Sequence, residues 1–309
     1  MYSGIAARTR CRTARSGDRH PPILAACLLA LFAWSAASPV AASGMEGDVR
    51  KASTSRAARE DARRSIPVSK IDGRGRAKLN RVLSDTSVFR RLPVQVIDCE
   101  PDLFRFMIRN PDVIVNIWDV MGITQVGMQR TGETTFVASD GVGTSGNVEF
   151  LYRSDNLHVV YTEGVYDGPA FTRPVRGQCV MVLKTGYAKQ PSGRCYISNR
   201  LDIFIRLENV GLELLAKTFH PWMGKIADTN FAETSQFLGS VSRTAETNSP
   251  GVTRLAGKLT SCPFEVRQEF AMLSADVAAK LEPTQMASST PAAPARAIRQ
   301  PKSVTSLRR

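Results

Sequence analysis

Between Leu92 and Glu208 the chain alternates short apolar runs with turn-forming clusters, and that pattern sets the first expectations. Leu92–Glu100 (LPVQVIDCE) places Val94 and Val96 on one face and predicts a short strand. Asp98 is placed to cap a helix over EPDLFRFMIRN, with Pro101 suited to its first turn. Asn110-Pro111 stops that helix, because a residue before proline is pushed out of the helical region. The run DVIVNIWDV then reads as a second short helix or an extended segment, since its Val and Ile residues leave both open.

After Gly122 the strand-like runs are Gln125–Gln129 with Thr134–Ser139, then Asn147–Arg153, Leu157–Tyr166, Arg176–Tyr187 and Cys195–Glu208. The clusters TGE, SDGVGTSG, RSDN, YDGP and KQPSG lie between them. Strands joined by such short turns must pair antiparallel, so a meander follows. From Gly211 the period becomes helical. Met223, Ile226, Ala227, Phe231, Thr234, Phe237, Leu238 and Val241 form one stripe, with Pro221 and Gly224 as kink signals and Asn248, Pro250 and Gly251 as the end. Two shorter helices are expected over Val252–Thr260 and Pro263–Leu281. Upstream, Lys78–Leu92 carries an amphipathic helical stripe of Leu79, Val82, Leu83 and Val88. The fold class is therefore α+β: an antiparallel meander wrapped on a long C-terminal helix, with extra C-terminal helices.

Outside this region the composition changes. Residues 1–43 join a basic stretch (Arg8 to Arg19) to the apolar run ILAACLLALFAWSAA and the small-residue pattern SPVAAS. These are the parts of a signal peptide, with cleavage expected after Ala42; an uncleaved N-terminal anchor is the alternative. Residues 43–77 lack apolar periodicity and read as a disordered basic arm, 78–282 as a single domain, and 283–309 as a disordered basic tail.

Charge sharpens this division. The net of +13 separates into +4 over residues 1–43, +7 over 44–91, −3 over 92–279 and +5 over 280–309. The compact part is slightly acidic, which argues against specific nucleic-acid binding and leaves the tails with weak contact to anionic membrane or cell wall. Removal of the leader leaves Cys99, Cys179, Cys195 and Cys262, an even number that permits two disulfides in three connectivities; for the pair in the apolar strands, buried small apolar side chains are the alternative.

Candidate chemistry is sparse. Gly141, Gly143 and Gly146 have GxGxxG spacing, but strand-like sequence follows, so a hairpin is expected instead of a dinucleotide site. With only His158 and His220 beyond the leader and no metal-spaced set, no catalytic residue, metal site or cofactor is expected. Strand parity is more informative. In Cys195–Glu208 the face of Ile197, Asn199, Leu201, Ile203 and Ile205 is dry, and that of Tyr196, Arg200, Asp202, Arg206 and Glu208 is wet. In Leu157–Tyr166 the more apolar parity carries Tyr161 and Glu163. That carboxylate needs a partner, a raised pKa or a cavity, unless it reaches solvent at the strand end. Val148, Phe150 and Tyr152 share one parity, so Tyr152, Tyr161, Glu163 and Asn199 are candidate polar points on a greasy wall, which fits a pocket and a packed core equally. Met223 and Phe231 face it from the helix. Asp112 reads as a first-turn capping residue, Asp119 as a solvated helix end, and Trp118 as a plug or pocket rim.

LPVQVIDCEPDLFRFMIRNPDVIVNIWDV, followed by the meander and the long helix, resembles the START and polyketide-cyclase (SRPBCC, helix-grip) superfamily over about residues 92–248. The resemblance implies a curved sheet gripping the last helix around an apolar cavity that holds a hydrophobic small molecule or lipid. Three functions are weighed: an exported, non-enzymatic carrier of such a ligand; a cyclase- or hydrolase-like enzyme using Glu163 and the tyrosines; and an envelope scaffold with basic arms.

Overall fold

The computed structural model describes residues 51–168, 173–208 and 220–288, with side chains outside 220–223 and 281–288. The leader, the Ala42 cleavage position and residues 289–309 lie outside the described residues, as does the side chain of Met223. In chain order the elements are α1 (Arg56–Arg64), α2 (Gly73–Ser84), β1 (Val88–Arg91), β2 (Gln95–Asp98), α3 (Pro101–Arg109) and α4 (Pro111–Val120). These are followed by β3 (Gly127–Arg130), β4 (Thr135–Ser139), β5 (Thr144–Arg153), β6 (Leu157–Tyr166), β7 (Val175–Lys189), β8 (Cys195–Leu207), α5 (His220–Lys258) and α6 (Phe264–Ser288).

The strands form one antiparallel sheet in the order β1-β8-β7-β6-β5-β4-β3, and β2 shares the β8 edge with β1. Fold class is as the pattern predicted: α+β, an open eight-stranded meander with C-terminal helices in a helix-grip-like arrangement. The GxGxxG segment is the β4–β5 hairpin. Gly141 and Gly143 take positive φ (71° and 119°), and the Asp140 carboxylate accepts from the N–H groups of Val142 and Thr144, both at 2.8 Å. At Gly146 any Cβ would lie 2.5 Å from the Glu163 carbonyl oxygen, so only glycine lets β5 approach β6 there.

Local signals explain the helices. Glu100, not Asp98, caps α3 by accepting from Asp102 N–H at 2.7 Å and Leu103 N–H at 3.1 Å. Asp98 instead ends β2 and pairs with Arg194. DVIVNIWDV is helical in α4. Asp119 is exposed, whereas Asp112 is buried in a two-pronged ion pair with Arg130 of β3, at 2.6 and 3.0 Å. The long helix breaks where Asn248 was expected to end it. Asn248 leaves helical geometry (φ −147°, ψ 54°), its side chain caps the restart by accepting from Gly251 N–H at 3.1 Å, and Pro250 fits that new first turn.

Two cores flank the sheet. On one face α3, α4, α5 and α6 cover Val148, Phe150, Val160, Met181, Ile197, Leu201 and Ile203. On the other, α1 and α2 bury Ala62, Ile71, Leu79 and Val82 against Val159, Tyr161, Val180, Val182 and Phe204. This second layer corrects two expectations. Within the 43–77 arm, residues 51–77 are not disordered, because Ser55 and Asp72 cap real helices and their apolar positions cover this sheet face. The helix stripe also stops at Ser84: Thr86 back-bonds the Val82 carbonyl at 2.7 Å, and Val88 joins β1.

The supposedly wet face of β8 is thus a covered one. Asp202, fully buried, accepts from Arg91 at 2.6 and 3.0 Å, and Arg91 also donates to Asp61 of α1 at 2.7 Å. Arg200 reaches the same Asp61 at 3.1 Å. The hydrogen bond from Arg91 holds the Asp61 carboxyl below its usual range. The basic excess of residues 44–91 is therefore partly spent on ion pairs to the sheet.

Among the cysteines, Cys99, Cys195 and Cys262 carry free thiols. Cys99 N–H donates to the Cys195 carbonyl at 3.2 Å, and burial pushes the Cys99 and Cys262 thiols up to about 12. Among the described residues no helix is long and apolar enough to cross a membrane.

Two substitutions test the second layer. Leu79→Ala is expected to cost about 3 kcal/mol in urea unfolding, where a solvated arm would leave the midpoint unchanged. Asp202→Asn, which strands the Arg91 guanidinium, is expected to cost about 3 kcal/mol in the same assay.

Candidate functional site

A partly open cavity of about 90 Å³ lies between the sheet and α5. The sheet supplies Val148 and Phe150 from β5, His158 and Val160 from β6, Met181 and Leu183 from β7, and Asn199 and Leu201 from β8. Opposite stand Phe231, Thr234, Ser235 and Leu238 of α5. Met107, Pro111, Ile114 and Val115 of α3 and α4 close one end. Register places these residues side by side: Phe150 pairs with Val160, His158 with Leu183, and Leu183 with Leu201. A broader recess of about 350 Å³ beside Val94, Lys184 and Arg200 is polar and open to solvent, so it offers no enclosed apolar wall.

The predicted residues divide between the two faces. Asn199 and Phe231 line the cavity. Trp118 is buried one layer away, edge-on to Phe237 of α5 at 5.5 Å, and does not line it; of plug and rim, the geometry matches the plug. Tyr152, Tyr161 and Glu163 stand on the opposite face, under α1 and α2. The expected common wall is thus split: on β6 it is the parity of His158 and Val160 that faces the cavity, which puts Tyr161 and Glu163 on the other side, and on β5 a β-bulge moves Tyr152. Phe150 pairs with Val160 while Tyr152 pairs with Val159, so the residue between them shifts parity and turns Tyr152 away from Phe150.

On that far face the polar groups satisfy one another. Tyr161 donates to Glu163 at 3.0 Å, Lys78 of α2 pairs with Glu149 at 2.5 Å, and the Lys78 ammonium lies 5.3 Å from the Tyr161 ring centroid. Glu163 therefore has the partner that its position demanded. Burial, with Glu163 beside it, pushes the Tyr161 phenol up, so it stays protonated at neutral pH. These contacts tie α2 to the sheet and do not bring Glu163 and the tyrosines to the cavity.

Sequence reasoning missed His158. It is 1% exposed, and neither ring nitrogen has a hydrogen-bond partner among the described residues. Its ring meets that of Phe150 edge-on at 6.2 Å. Desolvation, reinforced by Arg109 and Arg153 and opposed by Asp155, lowers its pKa to about 4, so the imidazole is neutral at pH 7. The available signal was the second parity of Leu157–Tyr166, in which His158, Val160 and Thr162 alternate with a set no less apolar. Asn199, also buried, accepts from the Thr185 hydroxyl at 3.2 Å. A small dry chamber with an unpartnered neutral imidazole can hold an apolar body and hydrogen-bond one polar atom.

No family model matches the chain, and no curated protein matches it. Among solved structures, it is similar to a conserved protein from Geobacillus kaustophilus, with 11% identity over 58% of this chain and 93% of that one, at a TM-score of 0.31. It is also similar to a hypothetical protein from Helicobacter pylori, with 12% identity over 46% and 85% of the two chains and a TM-score of 0.30. A third is the di-domain ARO/CYC BexL from the BE-7585A biosynthetic pathway, with 14% identity over 52% and 50% of the chains and a TM-score of 0.24. At these values the functional reading rests on the chain's own residues.

The buried imidazole has a pH signature. A histidine whose pKa falls from 6.5 unfolded to about 4 folded leaves stability at its plateau above pH 6.5. Below that, the unfolded chain binds the extra proton, and stability drops by up to about 1.4 kcal/mol per pH unit until pH 4. Urea midpoints between pH 7 and pH 4 are expected to show this slope, and His158→Leu is expected to flatten it.

Proposed function

We propose that this protein binds a compact hydrophobic molecule in the cavity between the sheet and α5, as a carrier or sensor and not as an enzyme. One observation carries this reading: an almost wholly apolar cavity whose wall holds a buried polar side chain left without a partner among the described residues. A packed core would have no reason to keep His158 there, since an unsatisfied buried polar group is costly. The cavity also limits its occupant. At about 90 Å³ it is smaller than the roughly 150 Å³ apolar cavity that holds benzene, and well below the 300 Å³ or more of drug-sized sites. A whole acyl chain or sterol is thereby disfavoured relative to a molecule of a few heavy atoms, and a single aromatic ring of about six or seven fits once the wall yields. Met107 and Met181, unbranched and adaptable, are the wall residues best suited to yield to it.

The enzymatic reading loses its motivation, because Glu163 and the tyrosines bond one another on the other side of the sheet. The signal-like pattern of residues 1–43 supports export, with cleavage after Ala42. The basic segments 280–309 support weak contact with anionic surfaces.

Native mass spectrometry of the purified protein, followed by titration with small apolar ligands, tests the reading. A bound or exchangeable apolar molecule is expected, and Val160→Phe, which fills the chamber from β6, is expected to reduce its affinity at least tenfold. Retention of full affinity in Val160→Phe would move the ligand elsewhere.

A further inference from the structure

The cavity is not chemically uniform. His158 enters it from β6, flanked on the same wall by the apolar side chains of Phe150, Val160 and Leu183. Burial is essentially complete at 1% exposure, yet both Nδ1 and Nε2 lack a partner among the described residues. The two guanidinium groups that act electrostatically on the ring, Arg109 and Arg153, are engaged by Asp155 and Glu133, each at 2.8 Å. The neutral ring offers one lone pair and one N–H. A purely hydrocarbon occupant would leave both unanswered, and a charged one would have to shed its hydration in a dry space.

We propose that His158 is the polar anchor of the cavity and that its occupant is a small hydroxylated hydrocarbon. The apolar body lies against Met181, Phe231 and Leu238, and the hydroxyl hydrogen-bonds the imidazole. This inference rests on the cavity-binding function above and adds the chemical class of the ligand and the residue that selects it. His158 acts by recognition alone; no bond to the ligand is made or broken. A hydroxyl satisfies either state of the ring edge it meets, donating to the lone pair or accepting from the N–H, so the assignment does not depend on the tautomer.

Phenol and benzene form a matched pair of probes, differing by one oxygen. Their affinities are to be measured at pH 7 by calorimetry or ligand-detected NMR on the full-length protein, on His158→Leu and on His158→Gln. The ratio of phenol to benzene affinity cancels the different hydration of the two probes when it is compared between proteins. That ratio is expected to fall about tenfold from wild type to His158→Leu, the size of one hydrogen bond to a group otherwise stranded, and to be partly retained in His158→Gln. An unchanged ratio with both ligands bound overturns the anchor while the cavity function stands. Binding of neither probe to the wild type overturns both. A readout without substitution is the imidazole ¹⁵N shift of His158: phenol is expected to move it and benzene to leave it nearly in place, and equal shifts would overturn the proposal even where His158→Leu fails to fold.

Discussion

The central strands β6, β7 and β8 are apolar on both faces, and no part of the architecture escapes that constraint. Val159, Val180, Val182 and Phe204 point one way, and Val160, Met181, Leu201 and Ile203 the other, all buried. A sheet of this kind cannot leave a face to water, so each side needs its own layer of helices. The C-terminal pair with α3 and α4 supplies one layer, and α1 with α2 the other. Charge fits the same frame: the Arg91–Asp202–Asp61 cluster replaces water for the polar groups that the N-terminal layer seals. Removing one partner of such a cluster leaves a buried charge, so it fixes where that layer docks more than it adds net stability.

Much of the concave half was legible in the sequence. Strand limits from β4 to β8, the hairpin glycines, the break at Asn248 and the α5 stripe all follow from periodicity and turn chemistry. Those signals act over a few residues and need no knowledge of the tertiary structure. The convex half was less legible for the same reason. The α2 stripe of Leu79, Val82 and Leu83 could be read, but the buried positions of α1 are only Ala58 and Ala62 in an Arg-rich stretch, so no large apolar side chain marks its face. A one-residue bulge in β5 also affected the site. It leaves hydrophobicity unchanged but reverses which side chains meet, so Tyr152 was grouped with Phe150 and Asn199; Tyr161 and Glu163 were grouped there because β6 is apolar on both parities and the other one, with His158 and Val160, faces the chamber.

His158 illustrates a related point. In a strand covered on both sides, parity no longer separates inside from outside, and a polar residue in either set is buried. Glu163 seemed the costlier group from its charge alone, yet it has the Tyr161 hydroxyl at 3.0 Å. The neutral imidazole looked unremarkable by comparison, yet neither of its nitrogens finds a partner among the described residues. Partner geometry, not intrinsic polarity, decides which buried group is available to a visitor.

The break at Asn248 divides the longest helix into two cooperative pieces. The part bearing Phe231, Thr234 and Leu238 roofs the chamber and is fastened by Arg90–Asp228, by Trp118 against Phe237 and by Ser242 to the Glu100 N–H. The part beyond Asn248 contributes Val252, Ala256 and Leu259 to the same core, and α5 packs along α6. Since the hydrogen-bond ladder is re-initiated at its own cap, strain from lifting the roof is not transmitted through a continuous rod. The work of admitting a guest is then set by a handful of side-chain contacts over one helix segment, a local elasticity that the full 39-residue span would not have if it ran unbroken.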